Sequence, residues 1–163
     1  MDACVRFKTS NISYILDHAR RLGVFVSRND FMLPMHVHPA MLTYFQIPQQ
    51  CQLSSFYEVT GGFVVLKNEV FVQKAILDPW VACAFSPNCL CPSETGGKTD
   101  CLNFLACTAR ADPYFRCHRF DQSALGMILA SLFGRETTAF QQADVAWFFY
   151  KRSGGFKKYF HDA

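Results

Sequence analysis

With 163 residues, a net charge of +3 and half of its residues hydrophobic, the chain has the composition of one core-rich globular domain. Only 18% of residues are charged and 15% are aromatic, which excludes intrinsic disorder, and the scattered basic residues make no run of the kind that binds nucleic acid. No apolar stretch approaches the roughly 18 residues of a membrane-crossing helix; the longest, such as Gly61–Leu66 and Val145–Tyr150, are strand-sized.

Apolar residues at helical spacing predict a first helix over 12–22, with Ile12, Ile15, Leu16, Ala19 and Leu22 inward. Ser10 or Asn11 can cap it and Gly23 can end it. Val24-Phe25-Val26 is a short strand candidate. Asp30 to Gln50 contains Pro34, Pro39 and Pro48, which predicts extended or irregular chain. Residues 56–66 read as a strand entered through Thr60-Gly61-Gly62. Its continuous run Phe63-Val64-Val65-Leu66 predicts a central strand covered on both faces.

Asn68 is the expected cap of a second helix reaching about Cys83, with Val72, Ala75, Ile76 and Trp80 inward and Pro79 kinking or breaking it. A loop over 84–118 rich in Cys, Pro, Gly, Ser and Thr follows. The strongest helix is 121–133: Asp121 as N-cap, a stripe of Ala124, Leu125, Ile128, Leu129 and Leu132, and Gly134 at the left-handed C-terminal position. Val145 to Tyr150 is a late strand. The fold class is therefore α/β, a mixed sheet flanked by helices with a Cys-rich loop, in one domain over 1–163.

Six of the eight cysteines, Cys83, Cys89, Cys91, Cys101, Cys107 and Cys117, fall in or beside the loop. Disulfides made in an oxidising compartment would pin such a loop. Structural zinc is the rival, but Cys-x-x-Cys knuckles are absent, and the one-residue gap of Cys89-Leu90-Cys91 is poor chelate geometry. Buried free thiols suit Cys4 and Cys51 better than the loop cluster. Asn11-Ile12-Ser13 is a glycosylation sequon of a kind that also arises by chance. Met1 to Lys8 lack the apolar core of a signal peptide. A secretory cysteine pattern without a leader leads us to expect one upstream, making this chain a C-terminal fragment.

Two blocks can carry chemistry. The first is Phe56 to Asn68: a Gly61-Gly62 pair lets backbone approach a ligand closely, and Glu58 can hydrogen-bond sugar hydroxyls. A tight bend beside a surface carboxylate would explain it equally. The second is Asp121-Gln122, at a helix N-terminus where first-turn amides and the helix dipole favour polar or anionic ligands. A plain helix cap would account for Asp121. Arg119 can complement phosphate charge, and His36 and His38 alternate in a way that can chelate a metal, although such a pair is more often structural.

Together the blocks resemble the C-terminal half of the nucleotide-sugar-binding (GT-A type) fold of retaining glycosyltransferases, as in the glycogenin-like, galactosyltransferase and xylosyltransferase groups. The shared pattern is a Gly-containing apolar strand ending in Asn (Glu58 to Asn68), a helix carrying Trp80, and Asp-Gln-x-Ala-Leu at a helix start (Asp121 to Leu125). A glycosyltransferase-like group from invertebrates, with a Cys-containing loop before Cys-x-Arg-Phe-Asp-Gln-Ser-Ala, is the nearest likeness.

The resemblance implies transfer of a sugar from a nucleotide-sugar donor to a glycan or protein acceptor. Glu58, Gly61, Gly62 and Arg119 would line the donor pocket, and Asp121 and Gln122 would lie near the reacting carbon. It also implies a divalent Mn or Mg ion, a Golgi or secretory-lumen location and an upstream membrane anchor. The metal-binding Asp-x-Asp of that family does not occur in these residues, and His161 is a weak match to its late metal-binding His, so no metal ligand is assigned. Two alternatives stand beside this reading: a non-catalytic, disulfide-stabilised module binding glycans or a protein, and a cytosolic zinc-stabilised interaction domain.

Overall fold

The computed structural model describes residues 5–7, 10–47, 50–90, 120–137, 141–142 and 149–151. The expectations for Cys4 and Pro48, for residues 91–119 with Cys91, Cys101, Cys107, Cys117 and Arg119, for Val145 to Phe148 and for His161 lie outside these, as does the Cys51 side chain.

Strand β1 (Val5–Phe7) pairs antiparallel with β5 (Phe149–Lys151), the described end of the expected late strand. Helix α1 (Ser13–Leu22) ends where Gly23 turns left-handed at φ 84° and donates its N–H to the Ala19 carbonyl at 2.8 Å. Ile15 and Ala19 are buried as expected. Leu16 is exposed instead, and His18 takes the inward place one turn above Tyr14.

The three-stranded sheet has the order β3-β2-β4. Strand β2 (Val24–Met32) is antiparallel to β3 (Tyr57–Leu66) and parallel to β4 (Gln141–Gln142). The strand expected over 24–26 thus runs on to Met32, and it, rather than β3, is central among the described strands. An apolar run like Phe63 to Leu66 requires only that both faces be covered, and they are. Phe25, Phe63 and Val65 face α1 with Ile15 and Ala19. Val24, Val26, Val59, Val64 and Leu66 face the helices on the other side.

After β2 the chain makes a 3-10 turn, Leu33–His36, and then α2 (Pro39–Tyr44). Pro34 and Pro39 do not keep the segment irregular. Pro39 occupies the first helical position, where its missing N–H is no loss, and the His38 ring accepts from the Ala40 N–H at 3.1 Å. A second 3-10 turn, Gln50–Leu53, leads to β3.

The segment beyond β3 is one helix in three parts: α3 (Val70–Val72), a π-turn (Gln73–Leu77) and α4 (Asp78–Phe85). Glu69, not Asn68, holds the N-cap position. Pro79 neither breaks nor ends this helix. The π-turn, closed by the Asp78 N–H on the Gln73 carbonyl, adds a residue just before the proline and relieves the ring's clash with the preceding turn. Cys83 at the end of α4 is disulfide-bonded to Cys89, with Cα atoms 5.1 Å apart. Both sulfurs are buried against Leu33, Met41, Ala124 and Met127. Disulfide pairing is thus what the loop cysteines show at this point, and zinc has no claim on these two thiols.

Helix α5 (Phe120–Phe133) fills the space between the sheet, α4 and the Leu33–His36 turn. It has no single apolar stripe: every residue from Ser123 to Ala130 is buried, while Leu132 is exposed. A helix apolar all round is a core helix. Gly134 follows at φ 51°, left-handed as expected.

Candidate functional site

The two blocks meet. Between Val26–Val64 and Arg28–Val59 the register of β2 and β3 shifts, so β3 carries Thr60 to Phe63 as a bulge opposite Ser27. The glycines therefore lie inside the strand, not at a bend before it. Thr60 is held there by a hydroxyl contact with Ser27 and by its bond to the Ser27 carbonyl at 3.3 Å. The bulge turns the Gly61 N–H towards α5, where it donates to Gln122 Oε1 at 3.0 Å. A Cβ on Gly61 would lie 3.2 Å from that oxygen and 3.3 Å from the Gln122 Cβ, tighter than ordinary van der Waals contact, so a side chain here would push Gln122 back by a few tenths of an ångström.

A backbone N–H can only donate, so its partner on Gln122 is the carbonyl oxygen, and Nε2 is the end left over. Nε2 is buried and has no partner among the described residues. Asp121 beside it is exposed, inside the first turn and not capping it. Its carbonyl accepts from Trp80 Nε1 at 2.9 Å, which ties the start of α5 to α4. Phe120 enters the helix at φ 38°, a left-handed conformation that costs a residue with a Cβ about 1–2 kcal/mol. Such strain persists only where surrounding contacts impose it.

Glu58 is not at the surface. It is fully buried, and its Oε1 lies 3.1 Å from Nδ1 of His36, itself 2% exposed. The His36 ring also meets the edge of Phe31, with centroids 5.3 Å apart. The His36 carbonyl accepts from Ser123 Oγ at 2.5 Å. A chain of contacts therefore runs from β3 through Glu58 and His36 to Ser123, next to Gln122. His36 and His38 part company: one faces Glu58 and the other caps α2. Among the described residues no three His, Cys, Asp or Glu side chains converge to hold a metal ion.

Of the residues singled out from sequence, Gly61 and Gln122 are in contact and Asp121 adjoins them. Gly62 is half-buried in the same bulge. Glu58, two residues before the bulge, is buried against His36. Ser123 and the pairing role of His36 were not foreseen; a lone Ser beginning an apolar helical run was the available signal. Two surface depressions, one of about 310 Å³ lined by Lys67, Asn68, Glu69, Gln73 and their neighbours and one of about 320 Å³ between α2 and Ser86, are lined by none of these residues.

Comparison with family models, curated proteins and solved structures finds no match to this chain.

Proposed function

We propose that this chain is the C-terminal part of a glycosyltransferase-like domain that moves a sugar from a nucleotide-sugar donor to a glycan or protein acceptor. The observation that carries the reading is the Gly61–Gln122 bond. It joins the Gly-containing strand to the Asp-Gln helix start, the two blocks on which the family resemblance rests. With Oε1 held by Gly61, the buried Gln122 Nε2 keeps its two N–H donors uncommitted among the described residues, and a sugar hydroxyl or a phosphate oxygen reaching it would supply the acceptor. The exposed Asp121 carboxylate can face the positive charge that develops at a sugar's reacting carbon, and the helix N-terminus favours that anion. Glu58 is a positioning residue in this scheme, buried against His36 and not against the donor. Arg119, next to Phe120 in sequence, would meet donor phosphate.

The divalent ion that the resemblance implies finds no donor set among the described residues, and no step is assigned to it. The Cys83–Cys89 disulfide suits a Golgi or secretory lumen, with the membrane anchor supplied upstream. A second reading is favoured by the burial of Glu58, which takes that carboxylate out of reach of a donor: a disulfide-stabilised module that binds glycans or a protein without turnover.

Incubation of the protein with a panel of nucleotide sugars, Mn and mixed glycan acceptors separates the two. Transfer that falls about 100-fold in Asp121→Asn with an unchanged melting temperature supports the enzyme. Glycan binding without transfer, retained in Asp121→Asn, supports the module. Neither transfer nor glycan binding would remove the proposal.

A further inference from the structure

The region of Asn11-Ile12-Ser13 lies on the α1 side of the sheet, across it from α5, and belongs to nothing described so far. Asn11 and Ser13 are both exposed, immediately before and at the start of α1. The Ser13 N–H donates to Asn11 Oδ1 at 3.1 Å, a side-chain turn that folds the residue two places on back over the Asn amide. It also satisfies one of the first-turn N–H groups that Ile12, at the N-cap position, cannot reach with its side chain. This is the sole Asn-x-Ser or Asn-x-Thr in the sequence.

We infer that Asn11 is an N-glycosylation acceptor. The geometry supplies what the reaction needs of its substrate: an accessible amide, a hydroxyl-bearing residue two places on, and a local turn that brings the two together. In the transfer, Asn11 Nδ2 bonds to the first carbon of a sugar supplied by a lipid-linked glycosyl diphosphate. The carbon–oxygen bond to the diphosphate breaks, the lipid diphosphate leaves with the bonding pair, and one Nδ2 proton passes to a base of the glycosylating enzyme. The cap and the glycan use different atoms of one amide: Oδ1 keeps the Ser13 N–H while Nδ2 takes the sugar, so modification does not cost α1 its first-turn bond. The Cys83–Cys89 disulfide is independent support, because it forms in the same oxidising compartment in which that donor is found. The inference does not rest on the transferase reading, since a binding module that passes through the secretory pathway would be modified equally.

The test is peptide mapping by mass spectrometry of the protein isolated from its source cells, before and after treatment with a peptide N-glycosidase. The expected result is a glycan on the peptide containing Asn11 and, after the enzyme, Asp in its place. A secreted eukaryotic expression of the chain supplies the variants. Ser13→Thr should retain or raise occupancy, and Ser13→Ala should abolish it while the backbone turn and the melting temperature stay as they are. Unmodified Asn11 in the source-cell protein overturns the inference, and so does a glycan that persists in Ser13→Ala.

Discussion

Gln122 commits its carbonyl oxygen to the Gly61 N–H, and the consequences can be weighed residue by residue. Gln122→Ala leaves that N–H without its acceptor and should cost about 1 kcal/mol in urea unfolding. Gly61→Ala gains a few tenths of a kcal/mol from a stiffer unfolded chain, but its new Cβ crowds Oε1 and the Gln122 Cβ. In the native background we expect a net loss of about 1 kcal/mol. With Ala at 122 the crowding is gone, and the same change should be neutral or stabilising. The double-mutant cycle should therefore show a coupling of about 1 kcal/mol; strict additivity would mean that the two residues do not touch. Glu58 gives a sharper case. Glu58→Ala removes the carboxylate that faces the buried His36 Nδ1 and should cost about 3 kcal/mol, whereas Glu58→Gln keeps an acceptor of the same shape and should cost about 1. Sugar binding that vanishes in a well-folded Glu58→Gln would show that the carboxylate touches ligand after all. Gly61, Gln122 and Glu58 were each legible as candidates. Their pairing was not, because Gly61 and Gln122 are 61 positions apart, and because the alternation of His36 and His38 reads as a metal face when each ring in fact has a separate partner.

At the level of elements, the helix from Val70 to Phe85 shows how a rule about proline depends on what precedes it. In a regular helix interior Pro79 would cost about 3 kcal/mol. The π-turn at Gln73–Leu77 already accommodates the ring, so Pro79→Ala should stabilise the protein by less than about 1 kcal/mol. A gain near 3 kcal/mol in chemical denaturation would mean that the π-turn relieves nothing. The same logic explains which elements could be anticipated. Helices α1 and α5 were legible because local patterning and a glycine stop agree in each, with Gly23 and Gly134 both left-handed as expected, and strand β3 because of its continuous apolar run. Helix α2 was not, since Pro39 reads as a breaker until His38 is seen to cap the helix it begins. The central place of β2 was not legible either: Ser27, Arg28, Asn29 and Asp30 look like the end of a strand. They continue it because β3 pairs with Arg28 and Met32 beyond its bulge. The α5 stripe was misjudged because α5 packs on three neighbours, and nothing local in Ser123–Ala130 marks more than one buried face.

Over the whole molecule, the sheet divides an aromatic core under α1 from an aliphatic core under α5, and a titratable group lies within the first. His18 is 5% exposed, with its ring edge-on to Phe25 at 5.4 Å and 6.2 Å from Tyr14. Its Nε2 has no partner among the described residues. Burial, and then the positive charge of Arg21 one turn on, hold its pKa below the ordinary histidine value of 6.5. The sign of the linkage follows. As pH falls through 6.5 the unfolded chain binds a proton that the folded chain still resists, so stability is full above that value and declines on acidification down to the lowered folded pKa. Asp17, its sequence neighbour, does not offset this, being turned outward onto Arg20 at 2.9 Å. We expect the melting temperature to drop between pH 7 and pH 5 by several degrees more in the native protein than in His18→Leu, which retains apolar volume under α1 and has nothing to protonate. Parallel pH profiles in scanning calorimetry would place the acid sensitivity of the fold elsewhere. A steeper profile in His18→Leu would reverse the sign assigned to His18.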